Sequence, residues 1–424
     1  MTNPKPFLSN AFRNNIAVVY YHDNCPDGAL SAMIAFVALN ANCDRQVWTV
    51  PVKYDDKVLV PQLPHTTKGL TQKLDLYFVD FCPSPWIVRD LMRSQVYRPQ
   101  VASITIVDHH AKTHGYMTEF EKILAEPSDT LVEVHFANNK SGAMLTYEFF
   151  QESLGDSAAK YRQLAAELNT YDLWLHEGRN ASRAAKAAVG IATLYAEAKK
   201  AANVGEYYEK VSELFTGASS TQLPMENAYK AAMMLARKTT SVIAELTIQS
   251  VPKIINKGRE KIKDNEEKAK AAAEGGILVP IPGVASSIKD TQHPAAYLIV
   301  HNVRAEHVNE VGTQAALVYP NVAFTVCLNM EHHGKVSLRH NREITIFKPG
   351  EPTGQSLAVD MNVLAGLIEP PRDGKKGGGG HTGSAGAHIH IPITETLNEA
   401  QVRAWGDNVV IKAVAVYFEQ LLQS

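Results

Sequence analysis

The sequence predicts an α/β protein: a parallel sheet wrapped by helices in its N-terminal part, a helical middle, and a smaller C-terminal α/β unit. Three observations carry that prediction. In the first part, short runs rich in β-branched residues alternate with segments of helical periodicity. From Ser157 to Glu274 the composition turns to Ala, Glu, Lys and Leu, with few strand formers. Beyond the Pro/Gly-rich stretch GGILVPIPGVASS, strand-like runs return. At 424 residues the chain exceeds one ordinary core, and three segments are expected, 1–185, 186–285 and 286–424.

The elements follow in chain order. IAVVYY (Ile16 to Tyr21) is the first expected strand, and Leu30, Met33, Ile34 and Val37 give Ala29 to Leu39 helical spacing. Further strands are VWTVPV (Val47 to Val52), DLYFV (Asp75 to Val79), SITIV (Ser103 to Val107) and LVEVHF (Leu131 to Phe136). Between them, PSPWIVRDLM offers Ser84 as N-cap and Pro85 at the first helical position. KGREKIKDNEEKAKAAAEGG mixes both charge signs and reads as a solvated helix that stops at Gly275 and Gly276, joining two lobes. AAYLIVH, VAFTVCLNM and KVSLRH supply the later strands. A helical pattern, the glycine-rich RDGKKGGGGHTGSAGAHIHI and a closing helix from Asn408 to Leu422 complete the chain. No internal repeat is visible.

With 45% hydrophobic and 20% charged residues, the composition is that of an ordinary globular protein rather than a disordered one. A formal net charge of −2 excludes a strongly basic surface overall, so nonspecific grip on long duplex DNA is not expected. Cys25, Cys43, Cys82 and Cys327 lack disulfide-framework or paired metal spacing, which suits a reducing, cytoplasmic compartment. MTNPKPFLSNAFRNN has no signal-peptide core, and no apolar run is long enough to span a bilayer, so membrane residence is not expected.

Three N-terminal strands end in carboxylate or imidazole. YYHDNCPDG follows the first, YFVDFCPSP ends the third at Asp80, and TIVDHHAKTHG carries Asp108, His109 and His110. Parallel strands gather their carboxyl ends on one edge, where such sheets bind ligands. Taken singly, Asp27 or Asp80 reads as a helix cap and the HH pair as a surface feature. Taken together, converging Asp27, Asp80 and Asp108 would repel one another unless a cation neutralises them. Mixed imidazole and carboxylate ligation suits Mn²⁺, with Fe²⁺, Co²⁺ or Mg²⁺ as substitutes. Two such ions sharing a carboxylate are equipped for in-line hydrolysis at phosphorus.

The HxNCPDG turn, the strand ending in Asp80 and the VDHH of Val107 to His110 resemble the DHH phosphoesterase superfamily, which includes RecJ-like exonucleases, nanoRNases, cyclic-dinucleotide phosphodiesterases and manganese pyrophosphatases. NTYDLWLHEG around Asp172 resembles that superfamily's fourth acidic motif, and NNKSGAMLTYEFF the helix before it. GKVSLRH followed by GGGGHTGSAGA resembles the DHHA1 substrate-binding domain of the exonuclease and nanoRNase branch. The resemblance implies an N-terminal DHH domain holding two Mn²⁺ ions that activate a hydroxide, and a DHHA1-like domain holding the nucleotide.

Carried over, the resemblance makes His22 a ligand of one ion and Asp27 of the other, with Asp80 bridging. His109 and Asp172 complete the second site. Asp108 orients ligands or approaches the first ion, and His110 faces the phosphate, stabilising charge or protonating the leaving oxygen. Cys25 is then structural. One departure stands out: Asn24 occupies the place of an expected aspartate, with Asp23 beside it. Either Asn24 ligates as a neutral oxygen, Asp23 swings in, or the first site is weak.

Glycines without side chains let backbone N–H groups approach an anion. Gly378, Gly379, Gly380 and His381 are therefore expected to cradle a phosphate, Arg339 to fork onto another, and Lys375 and Lys376 to add positive potential. His114, His332, His333 and His340 read as surface residues, while of His388 and His390 on one strand only one can face a ligand. The expected partner is a short oligonucleotide, a single-stranded nucleic-acid end or a small nucleotide. The rivals are a cyclic dinucleotide, a bisphosphorylated nucleotide, and a binding protein without turnover. The helical middle is open to three roles: a homodimer interface, shaping of substrate access, or spacing of the lobes.

Overall fold

A computed structural model describes residues 15–41, 46–53, 73–93, 100–173, 175, 182–205, 225–288, 291–303, 307–329, 335–341, 345–347, 357, 359–370, 379–381, 384–388 and 399–423. It forms two compact units, Met1–Ile262 and Lys263–Ser424.

The first unit is built on a five-stranded, all-parallel sheet in the order β2-β1-β3-β4-β5. Its strands are β1 (Ile16–His22), β2 (Val47–Val52), β3 (Leu74–Val79), β4 (Val101–Asp108) and β5 (Leu131–Phe136). β1, β2 and β3 are buried almost end to end, as apolar runs without alternation require when helices cover both faces. Helix α1 (Pro26–Ala41) and α4 (Gly142–Phe150) lie in the core on one face with Val19, Tyr21 and Val79. Helix α2 (Pro85–Arg93) and α3 (Ala111–Leu124) cover the other, over Val18, Phe78 and Ile106. α1 starts at Pro26, three residues ahead of the periodicity, because proline is already set for the first helical turn. That start draws Asp27 and Gly28 into the helix.

The helical run continues with α5 (Ala158–Asp172), α6 (Arg183–Ala201), α7 (Met225–Thr247) and α8 (Val251–Glu274). Rather than standing apart, α6 and α7 share the core of α1 through Ile191, Tyr195, Val242 and Ile243. α7 also caps edge strand β2: Thr49 N donates to Thr240 Oγ1 at 2.8 Å, and Thr239 Oγ1 donates to Thr49 O. α6 and α8 meet backbone to backbone, since a Cβ on Gly190 would lie 2.0 Å from Ile254 O. α8 ends at Glu274, and Gly275 N returns to Ala271 O, as the sequence predicts.

The second unit holds a seven-stranded sheet in the order β10-β6-β7-β8-β9-β12-β11, parallel only between β7 and β8. Its strands are β6 (Ile277–Ile288), β7 (Thr291–His301), β8 (Val322–Asn329), β9 (Lys335–His340), β10 (Thr345–Phe347), β11 (Gly379–His381) and β12 (Ser384–His388). Helices α9 (Val308–Val318), α10 (Met361–Ile368) and α11 (Glu399–Gln423) accompany it. The stretch read from sequence as a Pro/Gly-rich preface is strand β6. Its prolines fit because the register shifts between Pro280 and Ala285, and β10 pairs only with 285–287. No described helix is long and apolar enough to cross a membrane.

Candidate metal centre

The strand order reverses between β1 and β3, and the crevice outside the carboxyl ends at such a point is where doubly wound sheets take ligands. His22 is the last residue of β1, Asp27 sits in the first turn of α1, and Asp80 directly follows β3. Asp108 ends β4, with His109 and His110 after it, and Asp172 ends α5.

Local backbone devices bring these groups together. A Cβ at Gly28 would lie 2.2 Å from His22 O, so only glycine lets α1 fold down onto the end of β1. Asp80 adopts φ +52°, the left-handed region, while its N–H donates to Val107 O at 2.9 Å. Non-glycine residues held there carry strain of roughly 1–3 kcal/mol, and such strain clusters at functional sites. Helix α4 then closes over the carboxylates. Its N-cap Ser141 accepts from Met144 N, the Ser141 N–H donates to Asn169 Oδ1 at 2.8 Å, and Ala143 N donates to Asp27 Oδ1 at 3.2 Å. The positive end of a helix thus addresses Asp27. A Cβ on Gly142 would stand 2.3 Å from Asp80 Oδ1, so that position too must be glycine.

His22 Nδ1 lies 3.8 Å from Asp80 Oδ2, and His109 Nε2 lies 3.2 Å from Asp80 Oδ1 and 3.8 Å from Asp27 Oδ2. On the other side of the same ring, His109 Nδ1 is 3.7 Å from Asp172 Oδ2. Two donors each about 2.1 Å from a shared ion stand about 3–4 Å apart, so these separations suit cation ligation. Asp27 and Asp80 are buried, and among the described residues Asp27 Oδ2 and both Asp80 oxygens meet no donor in hydrogen-bond geometry. Buried acceptors left this way await a cation or a proton. Burial first, then the charges of Asp80 and Asp172, push Asp27 well above the usual carboxylate range, and burial first, with Asp108 and Asp172 adding to it, does the same to Asp80. Burial and the neighbouring His110 push His22 down, toward the neutral imidazole that ligates metals.

Asp108 is fully buried, and both its oxygens are engaged: His110 Nδ1 lies 2.8 Å from Oδ1, and Thr113 Oγ1 donates to Oδ2. Of the two roles left open for Asp108, this geometry is that of a residue orienting its neighbour. Burial works against a charge on His110, but the Asp108 hydrogen bond and the surrounding carboxylates outweigh it and raise His110 to about 9. These contacts favour the protonated, proton-donating form of His110.

Asn24 does not join the cluster. It is exposed at φ +56°, and its Oδ1 accepts from Lys199 Nζ at 3.2 Å. Asp23 does not swing in either: it is buried, with Oδ1 2.7 Å from both Tyr195 Oη and Lys199 Nζ. The cation on α6 and the left-handed turn account for both departures. Cys25, expected to be structural, instead lies with His22 and Asp80, one potential ligand atom of each within 4.8 Å of the others.

In the second unit, β11 pairs with β12 and β12 with β9, so that His381 opposes Ser384 and Ser384 opposes Arg339. Arg339 and His381 thereby fall in one transverse row of the sheet. Gly379 and Gly380 belong to that edge strand rather than to a loop nest, pairing with Gly386 and Ala385. Gly378, Lys375, Lys376, Cys43, His332, His333 and His390 lie outside the described residues. His114 is exposed and stacks on Phe136, and the exposed His388 takes Glu369 as partner.

Sequence reasoning missed Gly142, Ser141, Ala143 N–H, Thr113 and Lys199. The SGA triplet opening an apolar helix signalled a capped start close to something, but nothing in it named Asp80 as the neighbour.

No family model matches the sequence, and no curated protein matches it. Among solved structures, an exopolyphosphatase-related protein from Bacteroides fragilis aligns at 14% identity over 96% of this chain and 94% of that one, with a TM-score of 0.39. RecJ from Thermus thermophilus, in complex with Mn²⁺, aligns at 15% identity over 95% of this chain and 53% of that one, with a TM-score of 0.37. The chain thus spans about half the length of that RecJ. An uncharacterised protein from Helicobacter pylori aligns at 11% identity over 94% and 99%, with a TM-score of 0.32. At these values the likenesses carry no argument about chemistry, which rests on the side chains above.

Proposed function

We propose that this protein is a metal-dependent phosphoesterase that hydrolyses nucleotide phosphoesters, with short oligonucleotides or single-stranded nucleic-acid ends as substrates. The observation that carries the reading is the buried pair Asp27 and Asp80, of which Asp27 Oδ2 and the two Asp80 oxygens meet no hydrogen-bond donor among the described residues, ringed by His22, His109 and Asp172 at ligand separations. His22, Asp27, Asp80, His109 and Asp172 hold two divalent cations, Mn²⁺ by the mixture of nitrogen and oxygen ligands. When bound, the cations supply the charge that draws in phosphoryl oxygens and makes water acidic enough to attack.

The chain's own groups do the rest. Asp108, pinned by Thr113, keeps His110 Nδ1 engaged, so the proton His110 passes to a leaving oxygen is carried on Nε2. The α4 N-terminus fixes Asp27 without consuming its second oxygen. Within the second unit, Arg339 shares one row of the sheet with the backbone of His381, and this row with the glycine edge beside it is the part of that unit suited to binding nucleotide phosphate. A modest basic set of this kind suits a short substrate, since the net charge of −2 provides no broad track for a long polyanion.

The test is Mn²⁺-dependent turnover of a nitrophenyl phosphodiester, followed by product analysis on two- to ten-residue RNA and DNA, bisphosphorylated nucleotide and cyclic dinucleotides. Turnover of the generic ester with preference for short oligonucleotides is expected. Binding of nucleotides without any hydrolysis would overturn the reading.

A further inference from the structure

We propose that Cys25 Sγ is a ligand of the cation position formed by His22 and Asp80, so that this half of the centre takes a thiophilic dication such as Zn²⁺ or Co²⁺ in preference to Mg²⁺. The inference rests on the metal-centre reading above and narrows it. Ligand atoms of His22, Cys25 and Asp80 lie within 4.8 Å of one another. Asp80 is 0% exposed, and neither of its oxygens meets a donor among the described residues. The group is therefore more than a cysteine near a histidine: it includes a buried carboxylate neither of whose oxygens is hydrogen-bonded among the described residues.

Chain geometry explains why sulfur takes this place. The turn after β1 offers three candidates for a third ligand. Asp23 is committed to Tyr195 and Lys199, and Asn24 is exposed with its oxygen on Lys199. Cys25 is the remaining one. Its carbonyl accepts from Ala29 N at 3.0 Å, which sets Cys25 at the start of α1. The other described cysteines have no such company: Cys82 donates to Pro83 O at 3.3 Å, and Cys327 is buried in the second unit.

One imidazole, one thiolate and one carboxylate make a set in which the soft sulfur favours Zn²⁺ and Co²⁺, whereas Mg²⁺ prefers an all-oxygen shell. Burial first, then the charges of Asp80 and Asp27, push the metal-free Cys25 thiol well up, so it is the arriving cation that displaces the proton. On binding, the Cys25 S–H bond breaks, the proton leaves to solvent, and a sulfur–metal bond forms without oxidation or reduction.

The experiment is a Co²⁺ titration of the full chain, read in the visible region for bound cobalt and in the near ultraviolet for thiolate-to-cobalt charge transfer. Wild type and Cys82→Ala should show both signals, while Cys25→Ser should keep visible cobalt bands, lose the charge-transfer band and lose roughly tenfold or more of its preference for Co²⁺ over Mg²⁺. Visible bands without charge transfer in wild type would overturn the Cys25 assignment and leave the metal centre standing. No cobalt binding at all would overturn both. Circular dichroism of Cys25→Ser establishes that the fold is retained, and Cys25→Ala gives a second variant without sulfur.

Discussion

Gly142→Ala sets one methyl group against the Asp80 side chain. The added Cβ would stand 2.3 Å from Asp80 Oδ1, 2.6 Å from its Cβ and 2.7 Å from its Cγ. Restoring an ordinary contact near 3.4 Å requires roughly 1 Å of movement. Asp80 has little freedom to supply it, being fully buried, left-handed at φ +52° and tied through its N–H to Val107 O. Overpacking of this kind costs about 1–3 kcal/mol of stability. A reacting group misplaced by about 1 Å loses on the order of 100-fold in rate, equivalent to about 2.7 kcal/mol in the barrier. The assay is Mn²⁺-dependent hydrolysis of a nitrophenyl phosphodiester alongside urea denaturation. Gly115→Ala serves as control, because nothing lies within 4 Å of its added Cβ in α3. That variant should gain about 0.5–1 kcal/mol in stability and keep wild-type turnover. Gly142→Ala with wild-type turnover would refute the claim that α4 is fitted against a working Asp80.

Two further outcomes are expected. Lys199→Met should cost about 3–5 kcal/mol, because it strands the Asp23 carboxylate in a buried site, and Lys199→Arg should recover part of it; denaturant midpoints for the two variants decide this. Without metal, stability should fall as pH rises. Asp27 and Asp80 have folded values raised above 3.8, so their contribution is present below the ordinary carboxylate range and is lost as pH rises through the folded values. His110, raised from 6.5 to about 9, acts in the same direction, its contribution fading as pH rises through about 9. Added Mn²⁺ should therefore lift the melting temperature more at pH 8 than at pH 5, and a metal-free melting temperature that climbs over that interval would contradict the assignment.

Much of the first sheet was legible because parallel strands buried on both faces must be continuous apolar runs, and their boundaries came within a few residues. Convergence of His22, Asp27, Asp80 and His109 was legible for a related reason: a parallel sheet sends every strand end to one edge. What the sequence concealed were contacts between distant segments. Lys199 is 176 residues from Asp23, and its effect on the Asn24 turn appears only once α6 packs beside α1. Likewise Gly142 reads as a helix start until its approach to Asp80 is known. Gly379 and Gly380 illustrate the opposite error, since a composition typical of loops contributes to an edge strand there.

If Asp27, Asp80 and the histidines beside them form a dication site, metal retention must depend on Asp80. Equilibrium dialysis against Mn²⁺ and Co²⁺ with metal analysis of the dialysed protein tests it most directly. Wild type should retain two ions per chain, and Asp80→Asn should lose at least one of them while remaining folded. A wild-type protein that retains none, or an Asp80→Asn variant that retains both with unchanged affinity, would contradict the account.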